Sequence, residues 1–194
     1  SGKVGTVVGS SWRGLNIIRS KPARPTHFSE KQRANQMKMK VVQHFLKQLV
    51  EPIRIGFRDD SILPTAFNMA VSYHKKFAVA GDFPNLAIDA AAVKIARGPL
   101  FCPEEMAMEK DDAGLHLSWD KSLNGNANPD DQLLLVVWNE SQDVSQYCLQ
   151  AYRSAGQFSW APSIPLASAH VWAAFIRQDR SMQSESRYLG HIPG

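Results

Sequence analysis

The chain lacks the motifs of the common catalytic and metal sites. It has only two cysteines, Cys102 and Cys148, and no C-x-x-C pair, so the ligand spacing of a structural zinc site is missing. Its six histidines are scattered without an H-E-x-x-H motif, and no G-x-S-x-G motif occurs. We therefore expect no enzymatic activity, no bound metal and no cofactor.

Long apolar runs are also missing. The longest, Leu133 to Trp138, has the length of a buried strand and is far shorter than the roughly 20 residues that span a bilayer. We therefore expect no membrane span. The two cysteines are expected to be buried free thiols, although a pairing between them stays open at this point.

The opening stretch SGKVGTVVGSSWRG is rich in glycine but does not match a phosphate loop. A Walker A sequence needs a second glycine five residues after the first, and Ser10 stands at that distance from Gly5. The composition favours instead an extended arm over residues 1–25. We expect the arm to dock through Val4, Gly5, Val7, Val8, Gly9, Trp12 and Arg13. Whether it docks on its own domain or on another copy stays open.

Charge is distributed unevenly along the chain. Residues 1–58 contain 12 Lys and Arg against two Glu, whereas the remainder has 10 basic and 16 acidic residues, for a net charge of +4 overall. A basic first third could meet nucleic acid, an anionic surface, or the acidic remainder of another copy. The last of these needs no outside partner, and head-to-tail contacts between copies generate rings or filaments.

Two helices are expected in residues 26–81. Ser29 and Gln32 match a capping box, apolar residues then recur at helical spacing, and Glu51–Pro52 is expected to end this helix. The second helix is predicted from Thr65 to Gly81. The first helix has a basic face, but no aromatic side chains for base stacking lie on that face, so nucleic acid is kept only as an alternative partner.

Residues 82–194 have the texture of a β domain. Short apolar or alternating segments are separated by turn signals, and His116 and His170 are expected on exposed strand faces. The predicted strands cover residues 92–97, 105–110, 115–120, 132–139, 147–153, 169–179 and 186–190. The predicted fold class is therefore α+β, with an N-terminal extended arm and helices followed by an antiparallel fibronectin III or immunoglobulin-like β-sandwich.

Six stretches follow one another in a distinctive order: GKVGTVVGSSWRG, IRSKP, SEKQRANQ, TAFNMAVSYH, VKIARGPL and RYLG. In this order they resemble an uncharacterised Gram-negative bacterial family of unknown function. The resemblance covers nearly the whole chain and implies a helical N-terminal portion followed by a fibronectin-like sandwich. It implies no activity, cofactor or catalytic residue.

The basic arm, the acidic remainder and the missing catalytic motifs together favour a structural protein. We expect a non-enzymatic subunit that binds other copies of itself in an extracellular filament, surface layer or virion-like particle, located outside the cell or at its surface. One alternative is an adhesion or ligand-binding module that uses the loop from Asn124 to Asp131. The other is nucleic-acid binding by the basic helix.

Overall fold

Glycine turns fold the N-terminal residues into a small antiparallel sheet. The structure is a computed structural model, and it describes residues 2–12, 14–21, 27–58 and 65–194. The sheet has the order β1 (Gly2–Val4), β2 (Val7–Trp12) and β3 (Leu15–Ser20). Gly5 and Gly14, with φ of 59° and 78°, lie in the left-handed region at the two tight turns. Residues 2–20 therefore double back twice instead of forming one extended arm.

The chain divides into two compact units, Ser1–Arg33 and Ala34–Gly194. The boundary that the sequence predicts at residue 25 lies outside the described residues. The boundary predicted at residue 81 lies within the larger unit, where helices and strands share one hydrophobic cluster.

The described residues form three helices, α1 (Glu30–Gln48), α2 (Val50–Gly56) and α3 (Ala66–Phe77). Side-chain caps begin α1 and α3, whereas α2 has none. The capping box is confirmed, because the Ser29 N–H donates to Gln32 Oε1 at 2.8 Å and the Gln32 N–H donates to Ser29 Oγ at 3.3 Å. Pro52 does not end the helical region. It lies in the first turn of α2, where no backbone N–H is needed.

The cap predicted for the second helix is also confirmed, since Thr65 Oγ1 accepts the Asn68 N–H at 3.3 Å. This helix ends at Phe77, before the predicted end at Gly81. Gly81, with φ of 81°, instead follows a two-residue strand. Two short strands pair there as β4 (Val79–Ala80) and β5 (Ala87–Ile88).

Seven further strands form two antiparallel sheets. The three-stranded sheet has the order β10-β7-β6, and the four-stranded sheet has the order β12-β11-β8-β9. Their bounds are β6 (Met106–Asp111), β7 (Gly114–Trp119), β8 (Gln132–Asn139), β9 (Val144–Tyr152), β10 (Gln157–Trp160), β11 (Ala169–Ile176) and β12 (Arg187–Ile192). The fold is therefore mixed α+β, as predicted, and β10 is a strand that the sequence did not predict.

The two central strands of the four-stranded sheet, β8 and β11, are buried on both faces. On one face, Leu133 and Leu135 of β8 join a hydrophobic cluster that includes Leu117 of the three-stranded sheet. On the other face, Leu134 of β8 joins a cluster that includes Leu46 of α1. Because each face has its own apolar cover, β8 and β11 have nearly continuous apolar sequences instead of an alternating pattern.

Residues 92–97 do not form the predicted strand. A short 3₁₀ turn covers Ala90–Ala92, and no strand follows it before β6. The backbone N–H groups of this segment bond elsewhere: Ile95 N–H donates to Ser186 Oγ at 3.0 Å, and Arg97 N–H donates to the Gly56 carbonyl at 2.8 Å. Residues 92–97 therefore have an alternating sequence but no neighbouring strand to pair with.

Candidate functional site

Exposed apolar side chains share one face of the N-terminal sheet. Val4 pairs with Val7 across β1 and β2, and Ile18 pairs with Gly9 across β2 and β3. Directly paired residues of antiparallel strands point to the same side, so Val4, Val7 and Ile18 lie on one face. Val4 is 82% exposed and Ile18 is 78% exposed. Ile18 was not among the predicted docking residues, although it belongs to the same surface.

Gly5 and Val8, which are also predicted docking residues, occupy other parts of this sheet. Gly5 forms the first turn, and Val8 is half-buried on the opposite face from Val7. Arg13 and the side chain of Trp12 lie outside the described part of the chain. The structure therefore brings the predicted valines into one small sheet without showing what covers it.

A large groove lies on the larger unit beside α3. Its volume is about 1360 Å³, and it is lined by α3, the chain after α2 and two loops near residues 98 and 182. Phe77 is 53% exposed at this groove, and Lys76 Nζ lies 5.0 Å from the centre of its ring. No local motif marks the groove, because its lining comes from segments more than 80 residues apart in the chain.

The groove carries more basic than acidic side chains. Glu185 pairs with Lys94 at 3.4 Å and with Arg97 at 3.5 Å, and the Arg97 guanidinium lies 5.3 Å from the ring centre of Tyr73. Burial, with a contribution from Glu185, raises the pKa of Tyr73. Arg180 has a left-handed φ of 64°, and its buried Nη1 has no hydrogen-bond partner among the described residues. The combination of cations and exposed aromatic surface suits an anionic ligand with an apolar part.

The loop from Asn124 to Asp131 is held from inside the protein. The Asp131 carboxylate is fully buried, with Oδ2 3.2 Å from Arg153 Nε and Oδ1 3.3 Å from Arg177 Nε. Asn126 accepts the Phe101 N–H through Oδ1 at 2.9 Å. These contacts anchor the loop to neighbouring parts of the larger unit, so part of the predicted ligand-contact surface has a structural role.

His74 is a core residue and does not extend the basic pair that follows it in the sequence. The ring is fully buried, its Nδ1 lies 2.7 Å from the Ala70 carbonyl oxygen, and its Nε2 lies 3.3 Å from the backbone nitrogen of Lys94. These partners define a neutral ring that donates through Nδ1 and accepts through Nε2. Burial lowers the pKa of His74, which stabilises this neutral form.

The two cysteines are free thiols, as predicted. Burial raises the pKa of Cys148 to about 11, and burial also raises the pKa of Cys102. Since the thiolate is the reactive form, neither residue is suited to act as a nucleophile near neutral pH. Within the described residues, no group of three or more His, Cys, Asp or Glu side chains is arranged to hold a metal ion.

These features define a mixed α+β protein that combines a small exposed sheet with a larger unit of helices and antiparallel strands. The chain belongs to a family of unknown function, DUF6266, whose profile matches residues 1–190. This membership agrees with the predicted resemblance to an uncharacterised family. No curated protein and no solved structure matches the chain. None of the helices in the described residues is long and apolar enough to cross a membrane.

Proposed function

We propose that this protein is a non-enzymatic structural subunit that assembles with other copies of itself through its N-terminal sheet. The observation that carries the proposal is the exposed apolar face formed by Val4, Val7 and Ile18. A sheet of three short strands needs apolar cover to be stable in water. A neighbouring copy supplies that cover in this proposal, and the cell exterior or surface is the setting we infer for the resulting filament or array.

The expected strength of this contact follows from the side chains involved. Full burial of one valine or isoleucine side chain contributes about 1.5–3 kcal/mol. The gross gain from three such side chains is comparable to the cost of association, which is about 4–15 kcal/mol. Association of two copies through this face alone is therefore weak and reversible, and we expect it to depend on protein concentration.

We also interpret the two larger sheets as a fibronectin III-like sandwich. In chain order, the strands from β6 to β12 correspond to A, B, C, C′, E, F and G of that fold. The sheet orders β10-β7-β6 and β12-β11-β8-β9 then correspond to E-B-A and G-F-C-C′. The helical layer over the four-stranded sheet is an addition to such a sandwich.

Sedimentation velocity over a wide concentration range tests the assembly proposal. We compare the full chain with a chain that lacks residues 1–25, since the two buried clusters of the larger unit begin only at Val42. The full chain is expected to associate, and the shortened chain to remain monomeric. A full chain that is monomeric at every concentration would refute the proposal, and so would equal association of both chains.

A matched pair of substitutions identifies the contact surface. Ile18→Thr keeps a β-branched residue in β3 but removes apolar surface, so we expect it to weaken association. Leu123→Thr makes a similar change at an exposed loop position of the larger unit and should have no effect. Equal effects of the two substitutions would contradict a specific role for the N-terminal face.

The groove beside α3 favours a second candidate function, the binding of an acidic peptide that carries apolar side chains. A fluorescent peptide of alternating glutamate and leucine is expected to bind, and the matching lysine–leucine peptide is not. Lys76→Glu should weaken binding because Lys76 lines the groove, whereas Lys75→Glu on the same helix should not, because Lys75 does not line it. Equal binding of the two peptides would exclude this function.

A further inference from the structure

We propose that the N-terminal sheet docks on the outer edge of β6 in a second copy, where β3 adds to the three-stranded sheet as a further antiparallel or parallel strand. This inference rests on the proposed self-assembly and names its acceptor. It follows from three observations: the backbone groups that β6 leaves unpaired, the charges beside them, and the matching properties of β3.

The outer edge of β6 has unpaired backbone groups. β6 is the terminal strand in the order β10-β7-β6, and a two-residue turn joins Asp111 to Gly114 of β7. The backbone groups of residues 107, 109 and 111 therefore bond to β7. The same alternation continues two residues earlier, where the Asp120 N–H donates to the Glu105 carbonyl. The N–H and C=O groups of Met106, Met108 and Lys110 point away from β7. Among the described residues, no backbone hydrogen bond reaches them.

The charges along this edge select which strand can pair with it. Residues 104–112 contain five carboxylates and one lysine. Charged side chains are a common protection of edge strands, because two edges of the same charge repel each other. The carboxylates in and beside β6 therefore disfavour pairing of β6 with β6 from another copy, but they favour a basic strand.

β3 has the properties of that basic strand. It is the terminal strand of the N-terminal sheet and has six residues, the same number as β6. Its register with β2 directs the backbone groups of Asn16, Ile18 and Ser20 outward. Arg19 and Lys21 are exposed, and the first 21 residues contain no carboxylate. Addition of such a strand to an open sheet edge forms main-chain hydrogen bonds, and the opposite charges favour pairing of β3 with β6 over pairing of two like strands.

The assembly geometry follows from one donor and one acceptor on each copy. The two surfaces differ, so the contact is heterologous, and it generates a closed ring or an open filament. In the extended sheet the side chain of Ile18 lies beside those of β6, so burial of Ile18 adds to the main-chain contacts.

Two pairs of variants test the acceptor edge, each with a matched control. Lys110→Pro removes an outward N–H without touching the bonds to β7, and Lys110→Thr removes the same charge but keeps that N–H. Glu109→Lys reverses one charge on the edge, and Asp82→Lys makes the same change at an exposed turn elsewhere. Circular dichroism and thermal unfolding first establish that all four variants fold as the parent does.

We expect Lys110→Pro and Glu109→Lys to weaken association by about tenfold or more, and both controls to stay within about threefold of the parent. Arg19→Glu should weaken association by itself and restore it in combination with Glu109→Lys. If association needs residues 1–25 but ignores the β6 variants, the β6 acceptor is wrong and the proposed function stands. If the full chain never associates, both are wrong.

Discussion

The buried charge cluster of Asp131, Arg153 and Arg177 offers a quantitative test of what stabilises the larger unit. Asp131 and Arg153 have no solvent exposure, and Arg177 is mostly buried. Arg153 Nη2 also donates to the Phe101 carbonyl at 2.8 Å, and its guanidinium lies 4.0 Å from the ring centre of Phe175. The Asp131 carboxylate therefore compensates the charge of two guanidinium groups, so its removal should cost more stability than removal of either arginine.

The expected losses follow from which charge is left without a partner. Removal of one member of a buried ion pair costs about 3–5 kcal/mol, because the other charge stays buried. Asp131→Asn leaves both guanidinium groups uncompensated, so we expect the upper part of this range. Arg153→Met leaves Asp131 paired with Arg177 and is expected near the lower part. Either loss is a large share of the roughly 5–15 kcal/mol that stabilises a typical domain.

Urea unfolding followed by tryptophan fluorescence measures these losses. Trp119 Nε1 donates to the Arg153 carbonyl at 2.8 Å, so one indole reports directly on this region. Asp130→Asn, at the exposed neighbouring position, is the matched control and should leave the midpoint unchanged. The reasoning fails if Asp131→Asn costs less than about 1 kcal/mol, or if the losses of Asp131→Asn and Arg153→Met simply add in the double variant.

Three other predictions concern local features of the fold. Because burial lowers the pKa of His74 below its ordinary value of about 6.5, stability is full above that pH and falls as the pH decreases below it, by at most about 1.4 kcal/mol per pH unit. His74→Gln should reduce this slope in urea unfolding at a series of pH values, and an unchanged slope would exclude His74 as its source. Ser29→Ala should cost about 1 kcal/mol of helix stability and speed amide exchange in the first turn of α1; unchanged exchange would show that the cap is dispensable. Gly56→Ala should cost about 1–3 kcal/mol or more, since a Cβ there would lie 2.1 Å from the Ile95 carbonyl oxygen, and an unchanged urea midpoint would contradict this close approach.

Features that depend on neighbouring residues could be predicted from the sequence. The capping box at Ser29 and the cap at Thr65 form as predicted, because each joins groups three residues apart. The strand from Gln132 to Asn139 has the predicted bounds, since a run of apolar β-formers has few other structures available to it. The strand-forming character of the N-terminal residues was evident for the same reason, although their two turns were not.

Features that depend on distant residues could not be predicted from the sequence. His170 alternates with apolar residues and was expected on an exposed face, but it stacks on Trp138 with ring centres 5.6 Å apart, and its Nδ1 lies 2.8 Å from the Tyr188 hydroxyl. That prediction was wrong because the face of a strand is exposed only if nothing packs against it, and here other elements do.

The sequence by itself determined the helix caps, the strand-forming segments and the uneven distribution of charge, all of which are local or additive properties. Tertiary structure decided that residues 92–97 bond to helices and side chains instead of a strand, that β8 is covered on both faces, and that a groove lies beside α3. It also decided that β6 is a terminal strand. Each of these depends on which distant segments meet, and no pattern within a short window of sequence contains that information.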